Sequence, residues 1–149
     1  MEKTLVIIKP DGVQRGLIGE IIGRLERRGL RIIAMKMMQI TPDLAKRHYA
    51  VHQGKHFFDS LIEYITSGPV VVMVIEGNRA VEVVRRLMGS TDPAQAELGT
   101  IRGDFALDMS RNLIHGSDSL QTAEFEISLF FSPDEIVSLS RDIDRWIFA

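Results

Sequence analysis

The segment Val70-Val71-Val72-Met73-Val74-Ile75 constrains the fold most, because six consecutive apolar residues of mainly β-branched type form a strand at the centre of a sheet. Ser67-Gly68-Pro69 halts the chain just before it. Thr4-Leu5-Val6-Ile7-Ile8 predicts a second strand, closed by a turn at Lys9-Pro10-Asp11-Gly12. Leu17, Ile18, Ile21, Ile22 and Leu25 then recur at helical spacing, with Arg24, Arg27 and Arg28 making a basic solvated face and Gly29 a stop. Leu30 to Ile40 reads as a strand, and Thr41-Pro42-Asp43 opens a helix with Thr as N-cap and Pro at the first helical position. Phe57 to Thr66 is helical, and Asn78 is the expected N-cap of a helix carrying Val81, Val84, Leu87 and Met88 that Gly89 ends. Between Ser90 and Asn112 periodicity fails, which predicts a long loop of the kind that carries function. Leu113-Ile114 is a last short strand, Leu120 to Phe131 a last helix, and Ser132 to Ala149 a tail ending in Trp146-Ile147-Phe148. Reduced to its major elements the order is βαββαβ, an α+β, ferredoxin-like fold whose four-stranded antiparallel sheet is covered by helices on one face.

With 149 residues the chain fits one domain spanning 1–149, without internal repeats or a linker. A net charge of −2 supplies no basic field for a polyphosphate backbone, so nucleic acid is not expected as a partner. The absence of Cys removes disulfides, thiolate catalysis and thiolate metal sites together. Met1-Glu2-Lys3 runs straight into a strand with no signal-like segment, and no apolar run approaches the roughly 20 residues needed to span a bilayer. A soluble cytoplasmic protein without a membrane partner is expected.

Three groups of residues offer chemistry. In Asn112-Leu113-Ile114-His115-Gly116-Ser117-Asp118-Ser119 an imidazole stands between an apolar strand and a turn of small polar residues. A neutral imidazole can accept and release a phosphoryl group, although a lone histidine at a strand end is also a common structural element. A serine-hydrolase reading of His115, Ser117 and Asp118 has no G-x-S-x-G elbow to support it. His48, His52 and His56 would share one face of a continuous helix, as zinc ligands do, but Gly54 interrupts the run and surface histidines are the plainer reading. The Walker and dinucleotide glycine patterns are both missing. What remains for phosphate is a set of cations at element ends, Lys9, Arg85 and Arg102 with Thr91 nearby, which make a site only if the fold gathers them round His115.

Thr4 to Gly19 (TLVIIKPDGVQRGLIG), Ser67 to Val71 (SGPVV), Gly99 to Phe105 (GTIRGDF) and Asn112 to Ser119 (NLIHGSDS) stand in the order of the signature segments of nucleoside diphosphate kinases, which the sequence resembles over essentially its whole length. The resemblance implies the same ferredoxin-like fold. It also implies ping-pong transfer of the γ-phosphate of a nucleoside triphosphate such as ATP to a nucleoside diphosphate, balancing cellular nucleotide pools with broad base and sugar selectivity. His115 resembles the histidine phosphorylated in turnover, Glu126 the carboxylate that orients it, and Ser117 its hydroxyl neighbour. Lys9 and Asn112 match positions that contact ribose and phosphates, Arg85, Thr91 and Arg102 match phosphate ligands, and Tyr49 lines the phosphate end. Phe57 resembles the ring on which the base stacks, with Met109 opposite, where a small branched residue is frequent in the family. The resemblance further implies Mg²⁺ held through nucleotide phosphates with no direct protein ligand. A tail as long as this one, with Pro93 in a contact loop, resembles family members that assemble as homohexamers rather than tetramers. A ferredoxin-like nucleotide-binding module without turnover is the competing function, and the retention of His115, Glu126, Lys9, Arg85 and Arg102 together speaks against it.

Overall fold

A computed structural model describes all 149 residues, Met1–Ala149. Strands β1 (Glu2–Ile8), β2 (Arg31–Met38), β3 (Val70–Gly77) and β4 (Ile114–Gly116) form one sheet in the order β2-β3-β1-β4, with every neighbouring pair antiparallel. The ferredoxin-like topology is therefore the one the element order predicts, with β3 and β1 central. The helices are α1 (Pro10–Gln14), α2 (Ile18–Arg27), α3 (Pro42–His48), α4 (Phe58–Ile65), α5 (Ala80–Met88), α6 (Ile101–Phe105) and α7 (Leu120–Phe130). None is long and apolar enough to cross a membrane.

The helices cover both faces of the sheet, not one. Alternate residues of the central strands point to opposite sides. Val6, Ile8, Val71, Met73 and Ile75 pack with Ile21, Leu25, Val84, Met88 and Ile101 from α2, α5 and α6. Leu5, Ile7, Val70, Val72 and Val74 pack with Ala45, Ile65 and Phe130 from α3, α4 and α7. The expectation of a single covered face counted only the two crossover helices. Burial of β3 on both sides is what its uninterrupted apolar run encodes.

Three local expectations are also corrected. Lys9-Pro10-Asp11-Gly12 starts a short helix instead of a turn: Pro10 sits at its first position, where a fixed φ fits and the missing N–H costs nothing. Gly12 is required there, since a Cβ would lie 2.7 Å from Ile8 Cγ2 and 3.2 Å from the Leu113 carbonyl oxygen. Asn78 does not cap α5; Arg79 does, in the left-handed region at φ 54, without a side-chain cap bond. Glu2 accepts from the Val81 N–H at 3.4 Å and so meets the helix start from β1. The stretch from Ser90 to Asn112 is not structureless, because it holds a 3-10 turn at Pro93–Gln95, capped by Asp92, and α6, capped by Thr100. These elements are too short to show periodicity. Thr41 caps α3 as expected, accepting from the Leu44 N–H at 3.2 Å.

Candidate active site

Antiparallel pairing lays β4 beside β1, with His115 opposite Ile7, and α7 returns across the same end of the sheet. His115, Glu126 and Ser117 are thereby brought together. His115 Nε2 lies 2.9 Å from Glu126 Oε1, and the Ser117 hydroxyl donates to that same oxygen at 2.6 Å while accepting from the Leu5 N–H at 3.2 Å. Burial works against ionisation of Glu126, but the hydrogen bonds from His115 and Ser117 help to outweigh it and hold its pKa below the ordinary carboxylate value. An ionised carboxylate only accepts, so Nε2 carries the ring proton and Nδ1 keeps the lone pair.

The backbone before the histidine is forced into an uncommon shape. Leu113 has φ 75, and the Ile114 N–H donates to the Asn112 carbonyl at 2.9 Å, which makes a tight γ-turn with a branched residue at its centre. Three contacts hold it there. The Leu113 N–H donates to Asp11 Oδ2 at 3.0 Å, the Leu113 carbonyl accepts from the Lys9 N–H at 2.8 Å, and Asp11 Oδ1 takes the Tyr64 hydroxyl. Asp11 and Tyr64 were not singled out by the sequence; the Pro10-Asp11 pair in KPDG was the available signal.

Around His115 opens a cavity of about 830 Å³, lined among others by Lys9, Tyr49, Phe57, Arg85, Thr91, Arg102, Asn112 and Glu126. Every expected site residue lies on its wall except Ser117, which is buried behind Glu126. Arg102 donates to the carbonyls of Asn112 (3.2 Å), Gly89 (3.0 Å) and Ile114 (2.7 Å), leaving its remaining N–H groups for the cavity. Burial and the charge of Arg85 lower its pKa to about 10, which leaves it cationic at neutral pH. Lys9 Nζ donates to Asn112 Oδ1 at 2.8 Å, and the Asn112 amide donates to the Thr91 carbonyl at 3.1 Å. Burial, then repulsion from Arg102, bring Lys9 down to about 8 against the opposing pull of Asp11. Arg85 donates to the Gly116 carbonyl at 3.1 Å. Three cations thus converge on one end of the cavity, held by backbone carbonyls and an amide, an arrangement suited to a polyanion.

At the other end Phe57 is half-buried and Met109 is 58% exposed, with the His52 ring 5.3 Å from Phe57. The histidine stripe does not exist as a helical face: α3 ends at His48, a 3-10 turn holds Ala50–His52, and Gly54 has φ 87. Instead His48 is buried against the site, edge-on to His115 with ring centroids 4.8 Å apart. Its Nδ1 lies 3.6 Å from Glu126 Oε2, but burial and the neighbouring His115 lower its pKa to about 3, so the ring is neutral and the contact is not an ion pair. A second groove of about 940 Å³ lies behind Arg85 and Asp118; it is open, lined mainly by charged and polar side chains such as Glu2, Arg79, Arg86 and Glu97, and contains no imidazole.

The comparisons with known proteins agree with one another. The sequence model of the family described as nucleoside diphosphate kinase matches residues 2–136. A nucleoside diphosphate kinase of Roseiflexus sp. (strain RS-1) is 62% identical over 148 residues, covering 99% of each chain. That of Archaeoglobus fulgidus is also 62% identical, over 99% of this chain and 98% of its own. Among solved structures, a halophilic nucleoside diphosphate kinase from Halobacterium salinarum in complex with CDP superposes with a TM-score of 0.97 at 53% identity, over 99% of both chains. A nucleoside diphosphate kinase family protein from Babesia bovis gives 0.97 at 44% identity, over 99% of this chain and 100% of that one.

Proposed function

Because the chain belongs to the nucleoside diphosphate kinase family and is an enzyme of that class, we propose that it works in two half-reactions with His115 carrying the phosphoryl group between them. In the first, the Nδ1 lone pair of His115 forms a bond to the γ-phosphorus of a nucleoside triphosphate. The bond from that phosphorus to the β-phosphate oxygen breaks, and the nucleoside diphosphate leaves with the electron pair. In the second, the terminal oxygen of another nucleoside diphosphate displaces His115 from the same phosphorus. The observation that carries this reading is the Nε2 contact with Glu126 at 2.9 Å, which fixes the tautomer that leaves Nδ1 nucleophilic. The positive ring formed when Nδ1 takes the phosphoryl group keeps its Nε2 proton against an ionised carboxylate. Ser117 holds that carboxylate in place.

Lys9, Arg85 and Arg102 stabilise charge on the transferring group, with Asn112, Thr91 and Tyr49 completing the wall near the phosphates. Phe57 stacks the base and Met109 closes over it, a contact that reads the π-face every base offers and so supports broad base selectivity. The CDP held by the Halobacterium salinarum relative is of the substrate class this site would take.

The donor set also indicates how Mg²⁺ fits. This ion prefers oxygen ligands, whereas the closest cluster of potential ligands, His48, His115 and Glu126, is rich in nitrogen and committed to its own contacts. Mg²⁺ carried on the nucleotide phosphates as part of the substrate fits this donor set. Assembly as a homohexamer accords with the exposed apolar side chains of Ile143 and Trp146 in the tail, and sedimentation at the mass of a monomer would contradict it. A cytoplasmic site of action goes with the nucleotide substrates, and cell fractionation checks it.

The deciding experiment is intact mass after brief exposure to MgATP, followed by a chase with GDP. The expected result is one acid-labile phosphoryl group on His115 that disappears as GTP forms. Folded protein that binds nucleotide yet gains no mass and makes no GTP would favour a binding module instead.

A further inference from the structure

The side chain of His48 is only 2% exposed, and neither of its ring nitrogens has a hydrogen-bond partner. A neutral imidazole must still carry one N–H, and a buried donor left without an acceptor is destabilising. One acceptor lies close to a ring nitrogen. Tyr49 and Phe130 face the ring with aromatic groups, His115 stands edge-on, and Glu126 Oε2 lies 3.6 Å from Nδ1. Glu126 is the complementary case: Oε1 takes both His115 Nε2 and Ser117, while Oε2 has no hydrogen bond. A buried donor without an acceptor and a carboxylate oxygen without a donor thus confront each other, separated by less than an ångström more than a hydrogen bond.

We propose that His48 is a positioning residue: its Nδ1–H hydrogen-bonds Glu126 Oε2 and so fixes the carboxylate in the orientation that presents Oε1 to His115. The inference rests on the reading of His115 as the phosphoryl carrier. Glu126 projects from α7, and its other fixed contact, Ser117, grips the same oxygen that His115 uses. Without a contact on Oε2 the carboxylate can turn about its terminal bond, weakening its hold on Nε2 and releasing the tautomer that leaves Nδ1 free. With both oxygens held, Glu126 cannot rotate away while His115 alternates between its free and phosphorylated forms. The edge-on contact of the two imidazoles then confines the plane of the His115 ring.

The test begins with the unmodified protein. Nitrogen-15 NMR of labelled histidine should find His48 as the Nδ1–H tautomer and His115 as the Nε2–H tautomer. His48 protonated at Nε2 overturns the proposal, because that nitrogen faces no carboxylate. Two variants follow. Asn can place an amide N–H near the position of Nδ1, so His48→Asn should keep kcat within a few-fold of the parent, whereas His48→Leu should lower kcat by roughly 10–100-fold, the usual penalty for losing an orienting partner, with KM nearly unchanged. The tautomer of His115 in His48→Leu should become mixed. Equal loss in both variants, or a His115 tautomer unmoved in His48→Leu, assigns His48 to packing alone. Mapping the phosphoryl group in the parent protein keeps the two ideas separable. No phosphate on His115 defeats the proposed function, whereas phosphate on His115 with full turnover in His48→Leu defeats the role of His48 alone.

Discussion

The two ends of the cavity are built by opposite rules. At the cationic end, Lys9, Arg102 and Asn112 are nearly inaccessible, and each is tied by hydrogen bonds to backbone or to a neighbouring side chain. At the other end, Phe57 and Met109 line the opening without a hydrogen bond to their side chains; only the rings of His52 and His56 and the Lys55 ammonium stand near Phe57, and Met109 is mostly exposed. The difference teaches where this molecule needs accuracy. Charge stabilisation at a reacting phosphorus depends on donors placed in advance, whereas stacking on a π-face tolerates sliding and exchange of the partner.

Measurements can break this contrast. The largest effect is expected from His115→Ala, which should abolish transfer while nucleotide affinity, measured calorimetrically, stays within a few-fold; residual turnover near that of the parent would mean the nucleophile lies elsewhere. Next comes Phe57→Ala, expected to weaken purine and pyrimidine nucleotides alike by about 1–3 kcal/mol in binding. An effect confined to one base would point to edge recognition and a more exacting base end than the geometry suggests. The smallest effect concerns pH. With its pKa lowered to about 8, Lys9 in the free enzyme loses its proton, and with it its attraction for phosphate, as pH rises past that value. The profile of kcat/KM should therefore fall on the alkaline side of about pH 8, approaching about tenfold per pH unit, while kcat at saturation holds further because bound phosphate favours charged Lys9. A kcat/KM that stays flat to about pH 10 would show that Lys9 contributes little to capture.

What the sequence made legible follows the same division. The strand Val70–Gly77 announced itself because burial on both faces removes every polar residue from its middle. Lys9, Arg102 and Asn112 at the cationic end stand out only because they lie in segments that resemble the family's signatures; as lone polar groups at element ends they would pass for solvated surface. His48 could not be read in the same way. Its spacing to His52 and His56 suggested a helical face, and only the end of α3 and the approach of α7 reveal that it touches Glu126. Arg79 was hidden for a related reason: a left-handed Arg at a strand-to-helix junction follows from how β3 must meet α5, not from local propensity, which favoured Asn78. The second helical layer stayed unseen because α3, α4 and α7 cover a face that the βαββαβ order leaves open.

The central place of β1 has a consequence for how the protein is made. Glu2–Ile8 leaves the ribosome before the other strands, yet its two partners in the sheet are Val70–Gly77 and Ile114–Gly116. At roughly 5–20 residues per second, the first strand of the nascent chain stays unpaired for several seconds, with Leu5 to Ile8 open to neighbouring chains. Only when β4 and α7 have emerged can the sheet close, and the same event joins His115 to Glu126. The contact between His115 and Glu126 is thus among the last parts of the fold to form, ahead only of the tail, whose Val137 N–H donates to the Ile33 carbonyl at 2.9 Å and whose Arg141 donates to the carbonyls of Gly29 and Leu30.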